Sequence, residues 1–147
     1  MQRVERTTRL GAPPDEVFAY VSDLDTLSEW QGGVTSARRT SEGGMQAGAT
    51  AEVTRQVMGQ TIVAPLLITA YDPPRRLGIA SKVSGVEADA LLELTSAEDG
   101  AATELSFAME IRGSGMTKFM EPMIAGAARG DIETSLERLR GRFERPA

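Results

Sequence analysis

Residues 113–143 constrain the fold of this chain more than any other stretch. Met116, Phe119, Met120, Met123, Ile124, Ala127, Ala128, Ile132, Leu136, Leu139 and Phe143 recur at three- and four-residue spacing, which puts them on one side of a helix. Unbroken, such a helix would run roughly 45 Å at 1.5 Å rise per residue. Pro122 cannot donate a helical hydrogen bond, so a kink or a restart is expected there. The first half is rich in Met and Phe and is followed by the small residues Ala125, Gly126, Ala127, Ala128 and Gly130. The second half, residues 131–145, is a conventional amphipathic helix with Glu133, Glu137, Arg138, Arg140 and Arg142 toward water. Such a helix cannot bury its own stripe and needs a sheet to lie on.

The preceding residues read as that sheet. Residues 2–10 alternate as a polar strand, closed by Gly11-Ala12-Pro13-Pro14. Pro14, followed by Asp15 and Glu16, suits the first turn of a short helix with Val17, Phe18, Tyr20 and Val21 on its apolar side. Asp23 is placed to cap a second short helix, residues 24–30, ended by Gly32-Gly33. Strands are then predicted over 34–40, 50–58, 61–71, 76–83, 87–95 and 103–111, separated by turn sequences such as Asp72-Pro73-Pro74, Ser84-Gly85 and Glu98-Asp99-Gly100. Pro65 predicts a bulge or an edge in its strand. Successive strands with short connections form an antiparallel meander. A sheet of about seven twisted strands curls, and the C-terminal helix is the cover for its concave face. The fold class expected is α+β, with a curved antiparallel sheet wrapped on a long C-terminal helix and two short helices after the first strand.

Composition excludes several chemistries. The 147 residues contain no cysteine and no histidine, which removes disulfides, thiol nucleophiles, His-based triads and most transition-metal sites. No metal and no cofactor is expected. The formal net charge of -5, with Lys82 and Lys118 the only lysines, argues against nucleic acid as a partner. No apolar run approaches the roughly 18 residues of a membrane span. The polar N-terminus lacks the apolar core of a signal peptide. A cytoplasmic protein made of one domain, residues 1–147, is the expectation, and an exposed edge strand leaves a homodimer open.

Three stretches carry a resemblance: residues 12–24 (APPDEVFAYVSDL) with Leu27-Ser28-Glu29-Trp30, then Tyr71-Asp72-Pro73-Pro74-Arg75-Arg76-Leu77, then Glu98-Asp99-Gly100 leading through Thr103-Glu104-Leu105 to Ile111 and the final helix. In these the chain resembles the START-like helix-grip superfamily (SRPBCC): START-related lipid-binding domains, birch-pollen-allergen-like proteins and the bacterial polyketide cyclase/dehydrase group. The resemblance spans essentially the whole chain and is specific for fold rather than chemistry. It implies a ligand pocket between the sheet and the long helix, with a small hydrophobic molecule as partner. No local signature transfers a catalytic residue.

The candidates for that pocket follow from strand and helix phase. Met116, Phe119, Met120, Met123 and Ala127 would form a pliable apolar lid, since methionine adapts its shape to what it touches; plain core packing is the competing reading. In 50–58, Arg55 falls in the set Ala51, Val53, Val57, so it points inward if the apolar set does. A buried guanidinium then needs a carboxylate or an acceptor-bearing ligand, unless it snorkels to water. Phe107 and Met109 share a face with Leu105 and Ile111 and look into the concavity. Trp30 either walls the pocket mouth or anchors the short helices, and its indole N–H wants an acceptor. Tyr71 either offers a hydroxyl to the ligand or caps the core. Placing Leu92 and Leu94 inward turns Glu87, Asp89 and Glu93 to water.

Two functions of different class remain: binding of a small hydrophobic molecule such as a lipid or polyketide, or a cyclase/dehydrase-type enzyme that uses the same cavity without metal or covalent nucleophile. An apolar cavity favours the first, and convergent polar groups favour the second.

Overall fold

Alternation of apolar residues at period two sets the sheet, and the strands it predicts are those found. The computed structural model describes residues 1–57, 59–83 and 85–143. The expected strand end at Met58, the turn residue Ser84 and the helix end at Arg145 lie outside the described residues. Seven strands form one antiparallel sheet in the order β1-β7-β6-β5-β4-β3-β2. They are β1 (Gln2–Leu10), β2 (Val34–Arg39), β3 (Thr50–Val57), β4 (Gln60–Asp72), β5 (Arg76–Val83), β6 (Val86–Ala97) and β7 (Ala102–Gly113). β2 to β7 make the expected meander, and β1 closes onto β7 with Gln2 opposite Ile111 and Leu10 opposite Thr103.

Helices α1 (Pro14–Val21) and α2 (Leu27–Trp30) follow β1, with a 3-10 turn, Leu24–Thr26, between them. The Asp23 carboxylate caps that turn by accepting from the Asp25 N–H at 2.9 Å. Pro65 lies inside the sheet, beyond the β4–β5 ladder, which runs from Leu67 opposite Ala80 to Asp72 opposite Arg76. Its missing N–H therefore costs no rung, and the Ser81 hydroxyl donates to its carbonyl at 2.7 Å. The irregularity in β4 falls slightly later, between Ile68 and Ala70.

The C-terminal stripe is not one helix. Gly115–Met120 forms a 3-10 helix, and α3 runs over Glu121–Arg142. Pro122 sits in the first turn of α3, where its absent N–H is not missed, so the chain restarts there rather than kinking. Ser114 and Thr117 form a capping box at the 3-10 entry. Glu121 is buried and ties the joint: it accepts from Gly113 N–H at 2.8 Å and pairs with the Met1 amine at 2.8 Å. α3 buries Ala125, Ile132, Ser135, Leu136 and Leu139 against the sheet, chiefly across β1 and β7, while the α2–β2 connection packs on its middle. Gly32 makes that approach possible: a Cβ there would meet the Asp131 carbonyl oxygen at 2.7 Å. Its N–H donates to Ser135 Oγ at 2.8 Å. The buried apolar residues of sheet, α1, α2 and α3 form one cluster. This is the helix-grip fold.

Candidate functional site

Every strand from β3 to β7 sends alternate residues into the space between the sheet and α3. β3 contributes Val53 and Arg55; β4 contributes Ile62, Ala64 and Leu66; β5 contributes Leu77, Ile79, Ser81 and Val83. From β6 come Val86, Ala88, Ala90 and Leu92, and from β7 Phe107 and Met109. Two rows explain why space is left. Ile79 lies opposite Ala90 and Ala90 opposite Met109; Ser81 lies opposite Ala88 and Ala88 opposite Ile111. Alanine on the middle strand of each row is too short to reach α3. The result is a cavity of about 340 Å³, continuous in its lining with a second lobe of about 120 Å³ under α3. Gln31, Arg55, Val86, Ala88, Phe107, Met109 and Ile124 belong to both. Its rim is made by Gln60, Ile62, Thr117 and Met120, between the β3–β4 turn and the 3-10 helix.

The wall is overwhelmingly apolar, and the polar side chains of the main cavity are those of Gln31, Arg55, Gln60, Ser81 and Thr117. Among the described lining residues the ionisable groups are Arg55 and Asp131, which share the second lobe with Gln31. The Arg55 guanidinium makes no hydrogen bond or contact ion pair with a described residue, although it is only partly exposed. Burial lowers its pKa, and the charge of Asp131 raises it in partial compensation. For Asp131, burial pushes the carboxyl up, while Arg55 and then Arg138 pull it down. Asp131 is pressed against the α2–β2 connection, its Oδ2 lying 3.1 Å from where a Cβ on Gly33 would sit. The hydroxyls on the wall are engaged locally: Ser81 donates to the Pro65 carbonyl, and Ser135 Oγ donates to the Asp131 carbonyl at 2.6 Å. Thr117 Oγ1 is held within the capping box and against the Gly85 carbonyl.

The candidates separate cleanly. Trp30, Arg55, Phe107, Met109 and Met120 line the main cavity, and Ala127 lines the second lobe. Leu105 is fully buried in the core. Tyr71 is not on the cavity wall; its ring packs on Phe18 with centroids 5.5 Å apart. Met116, Phe119 and Met123 also lie off the wall, 87%, 88% and 61% exposed. The reason is helical pitch. At three residues per turn, Met116 and Phe119 stack on the outer side of the 3-10 helix, and Thr117 and Met120 stack on the inner side. The stripe read at 3.6 residues per turn put them together. Trp30 is buried as a wall residue, with its Nε1 lacking an acceptor among the described residues. Glu87, Asp89 and Glu93 lie on the opposite face of β6 from Ala88, Ala90 and Leu92, where Arg112 pairs with Asp89 and Glu87, and Arg76 with Glu93.

Sequence reasoning missed Gln31, Ala88, Ala90, Ile124 and Asp131. The pattern Glu87-Ala88-Asp89-Ala90 carried a signal for the alanines, since a strand with acids on one face and alanine on the other leaves its inner face short. Asp131 had no such signal, because its position in the register of α3 depends on where the helix restarts. Among the described residues no group of three or more acidic, His or Cys side chains could hold a metal, and no helix is long and apolar enough to cross a membrane.

Comparison with known proteins agrees with this architecture. The family model described as polyketide cyclase/dehydrase and lipid transport matches residues 1–144. The Zhui aromatase/cyclase from Streptomyces sp. R1128 superposes with a TM-score of 0.81 at 17% identity, covering 98% of this chain and 94% of that one. A START superfamily protein from Mycobacterium smegmatis gives 0.77 at 15% identity, covering 97% of both chains. At these identities the two structures speak for the fold alone. A search of curated protein sequences finds no match.

Proposed function

The chain belongs to the polyketide cyclase/dehydrase and lipid-transport family, and from that premise we propose that it binds one small, mainly apolar molecule between the concave face of the sheet and α3. The observation that carries this reading is the cavity of about 340 Å³, walled by side chains of five strands and α3. That volume is in the range of small-molecule sites, and a few polar groups among many apolar ones are what such a site uses to orient its ligand. Phe107, Met109 and Met120 supply apolar contact, Met109 and Met120 being able to adjust to the shape of the guest. Trp30 closes one side, and Arg55 meets the polar end of the ligand.

Native mass spectrometry of the purified protein with 1-decanol tests the reading. A single adduct per chain is expected, competed by other apolar molecules of similar size. Absence of any adduct across alcohols, ketones and acids of eight to twelve carbons would sink it.

A second reading is favoured by one observation, the placement of Arg55 and Asp131 on the same lobe. A carboxylate whose basicity is raised by burial can take a proton from carbon next to a carbonyl, and a guanidinium can stabilise the enolate that forms. That is the proton chemistry of an aldol-type cyclase. Turnover of a poly-β-ketone by the native protein, lost in Asp131→Asn while 2-decanone still binds, would support it. Equal turnover in the variant would remove Asp131 from the chemistry.

A further inference from the structure

Methionine is among the residue types most often buried, yet none of the six methionines that the structure describes is buried. Three of them, Met116, Met120 and Met123, fall close together where the 3-10 helix meets α3. Met116 and Met123 are exposed and lie off the cavity wall. Met109 is the converse: it lines both lobes and packs against the core. Met120 has both properties, being 41% exposed and part of the rim. The four thioethers therefore form a graded series from solvent to cavity, with Met120 at the mouth.

Exposure decides which sulfur meets an oxidant first, and the chain has no cysteine to compete for it. With hydrogen peroxide, a lone pair on sulfur takes one oxygen as the O–O bond breaks. The proton of that oxygen passes to the other, which leaves as water. Sulfur is oxidised by two electrons and the peroxide reduced by two. The product is a polar sulfoxide in place of an apolar thioether. At Met116 and Met123 the new dipole is hydrated and faces no guest. At Met120 it stands on the rim of an apolar cavity. Thr117 Oγ1, on the same rim, is already engaged with the Gly85 carbonyl and the Ser114 backbone. The sulfoxide then draws on water or on the exposed Gln60 amide. A guest whose carbons pass that point must displace the water or break the contact, and a polar group left without a partner is costly.

We propose that Met120 is an oxidant-sensitive modification site on the rim of the cavity, where conversion of its thioether to the sulfoxide by a peroxide weakens the hold on an apolar guest. This rests on the binding reading above and adds its control by oxidation.

The test treats the native protein with hydrogen peroxide, follows each methionine by peptide mass spectrometry, and titrates 1-decanol before and after. Trp30 is the only tryptophan, forms part of the wall and is 2% exposed, so its fluorescence reports occupancy and its ring is shielded from the oxidant. The expected order of oxidation is Met116 and Met123, then Met120, then Met109. Affinity for 1-decanol should hold while Met116 and Met123 react, and fall about fivefold or more as Met120 follows, the weight of one polar group deprived of its partners. Bound 1-decanol should slow oxidation of Met120 and leave Met116 and Met123 unaffected. Each variant is compared with itself: peroxide should change the affinity of Met120→Leu by less than about twofold, whereas the double variant Met116→Leu, Met123→Leu should show the full loss. Methionine sulfoxide reductases should restore the affinity, the sulfoxide oxygen leaving as water while an added dithiol is oxidised to its disulfide. Unchanged affinity with Met120 fully oxidised, an equal loss in Met120→Leu, or loss of cooperative urea unfolding on oxidation would overturn the inference and leave the cavity reading intact. Absence of 1-decanol binding before peroxide is added would remove the cavity reading and this inference with it.

Discussion

Ala90→Leu asks whether the space over β6 is a ligand site. Ala90 lies between Ile79 and Met109 on the inner face and lines the cavity. Leucine adds three carbons, a volume of roughly 90 Å³ if each is taken as about the ~30 Å³ share of a water molecule. The cavity measures about 340 Å³, so the larger side chain fits without displacing backbone. Burying three carbons is worth about 2.4 kcal/mol at ~0.8 kcal/mol each, and fixing the leucine rotamer returns about 0.5–1 kcal/mol. The net gain of about 1.5 kcal/mol corresponds to a rise in Tm of roughly 5 °C for a chain of this size. The same carbons take the room of three ligand carbons, so 1-decanol affinity should fall more than about tenfold. Differential scanning calorimetry and a Trp30 titration on the same samples read both effects. A fall in Tm would mean that the new side chain meets atoms rather than space. Higher Tm with unchanged affinity would mean that the ligand sits elsewhere. Either result refutes the reasoning.

The remaining expectations concern charge, glycine and pH. Arg55→Met combined with Asp131→Leu should be at least as stable as the native protein in urea denaturation, because replacing a partly buried charged pair by apolar groups is often neutral or stabilising; a clear loss of stability would show the pair to be structural. Gly113→Ala should lower Tm, since its Cβ would meet the Thr117 carbonyl oxygen at 2.6 Å and displace the 3-10 helix, whereas Gly44→Ala, with nothing within 4 Å, should be neutral or slightly stabilising. The Met1 amine, followed by the Gly113 N–H, holds the Glu121 carboxyl below its ordinary value of 4.5. Its contribution to stability is therefore present above about pH 4.5 and lost as pH falls through the depressed folded value. Glu121→Gln should flatten that acid limb in pH-dependent urea titrations, and an unchanged limb would assign it to other carboxylates.

The sheet was legible because its residues alternate and its turns carry Gly, Pro, Ser or acidic signals; β1, α1 and β5 run between the residues that the alternation and the proline predict. The inward phase of Arg55, Phe107 and Met109 was legible for the same reason. The entry to the final helix was not. A stripe of apolar residues has one face at 3.6 residues per turn and another at 3.0, and only the folded chain shows that Gly113, the Ser114–Thr117 box and Pro122 hold residues 115–120 at the tighter pitch. That change turns Met116 and Phe119 outward and brings Thr117 and Met120 to the rim, while Met123, in the first turn of α3, is exposed. Tyr71 was ambiguous in sequence because the end of a strand can face either the pocket or the neighbouring helix, and here Phe18 of α1 takes it. Asp131 became visible only through the tertiary contact of α3 with the glycines after α2.

The most direct measurement is methyl NMR of the protein titrated with 1-decanol, following the alanine, isoleucine and methionine methyls. Ala88, Ala90, Met109 and Ile124 line the cavity, whereas Met116 and Met123 are exposed to solvent. Saturable shifts confined to the first set, with protein-to-ligand cross-peaks from Ala90 and Met109, are the expected result. Shifts centred on Met116 and Met123 with Ala88 and Ala90 unmoved would place the ligand outside the grip and contradict the assignment of the cavity as the binding site.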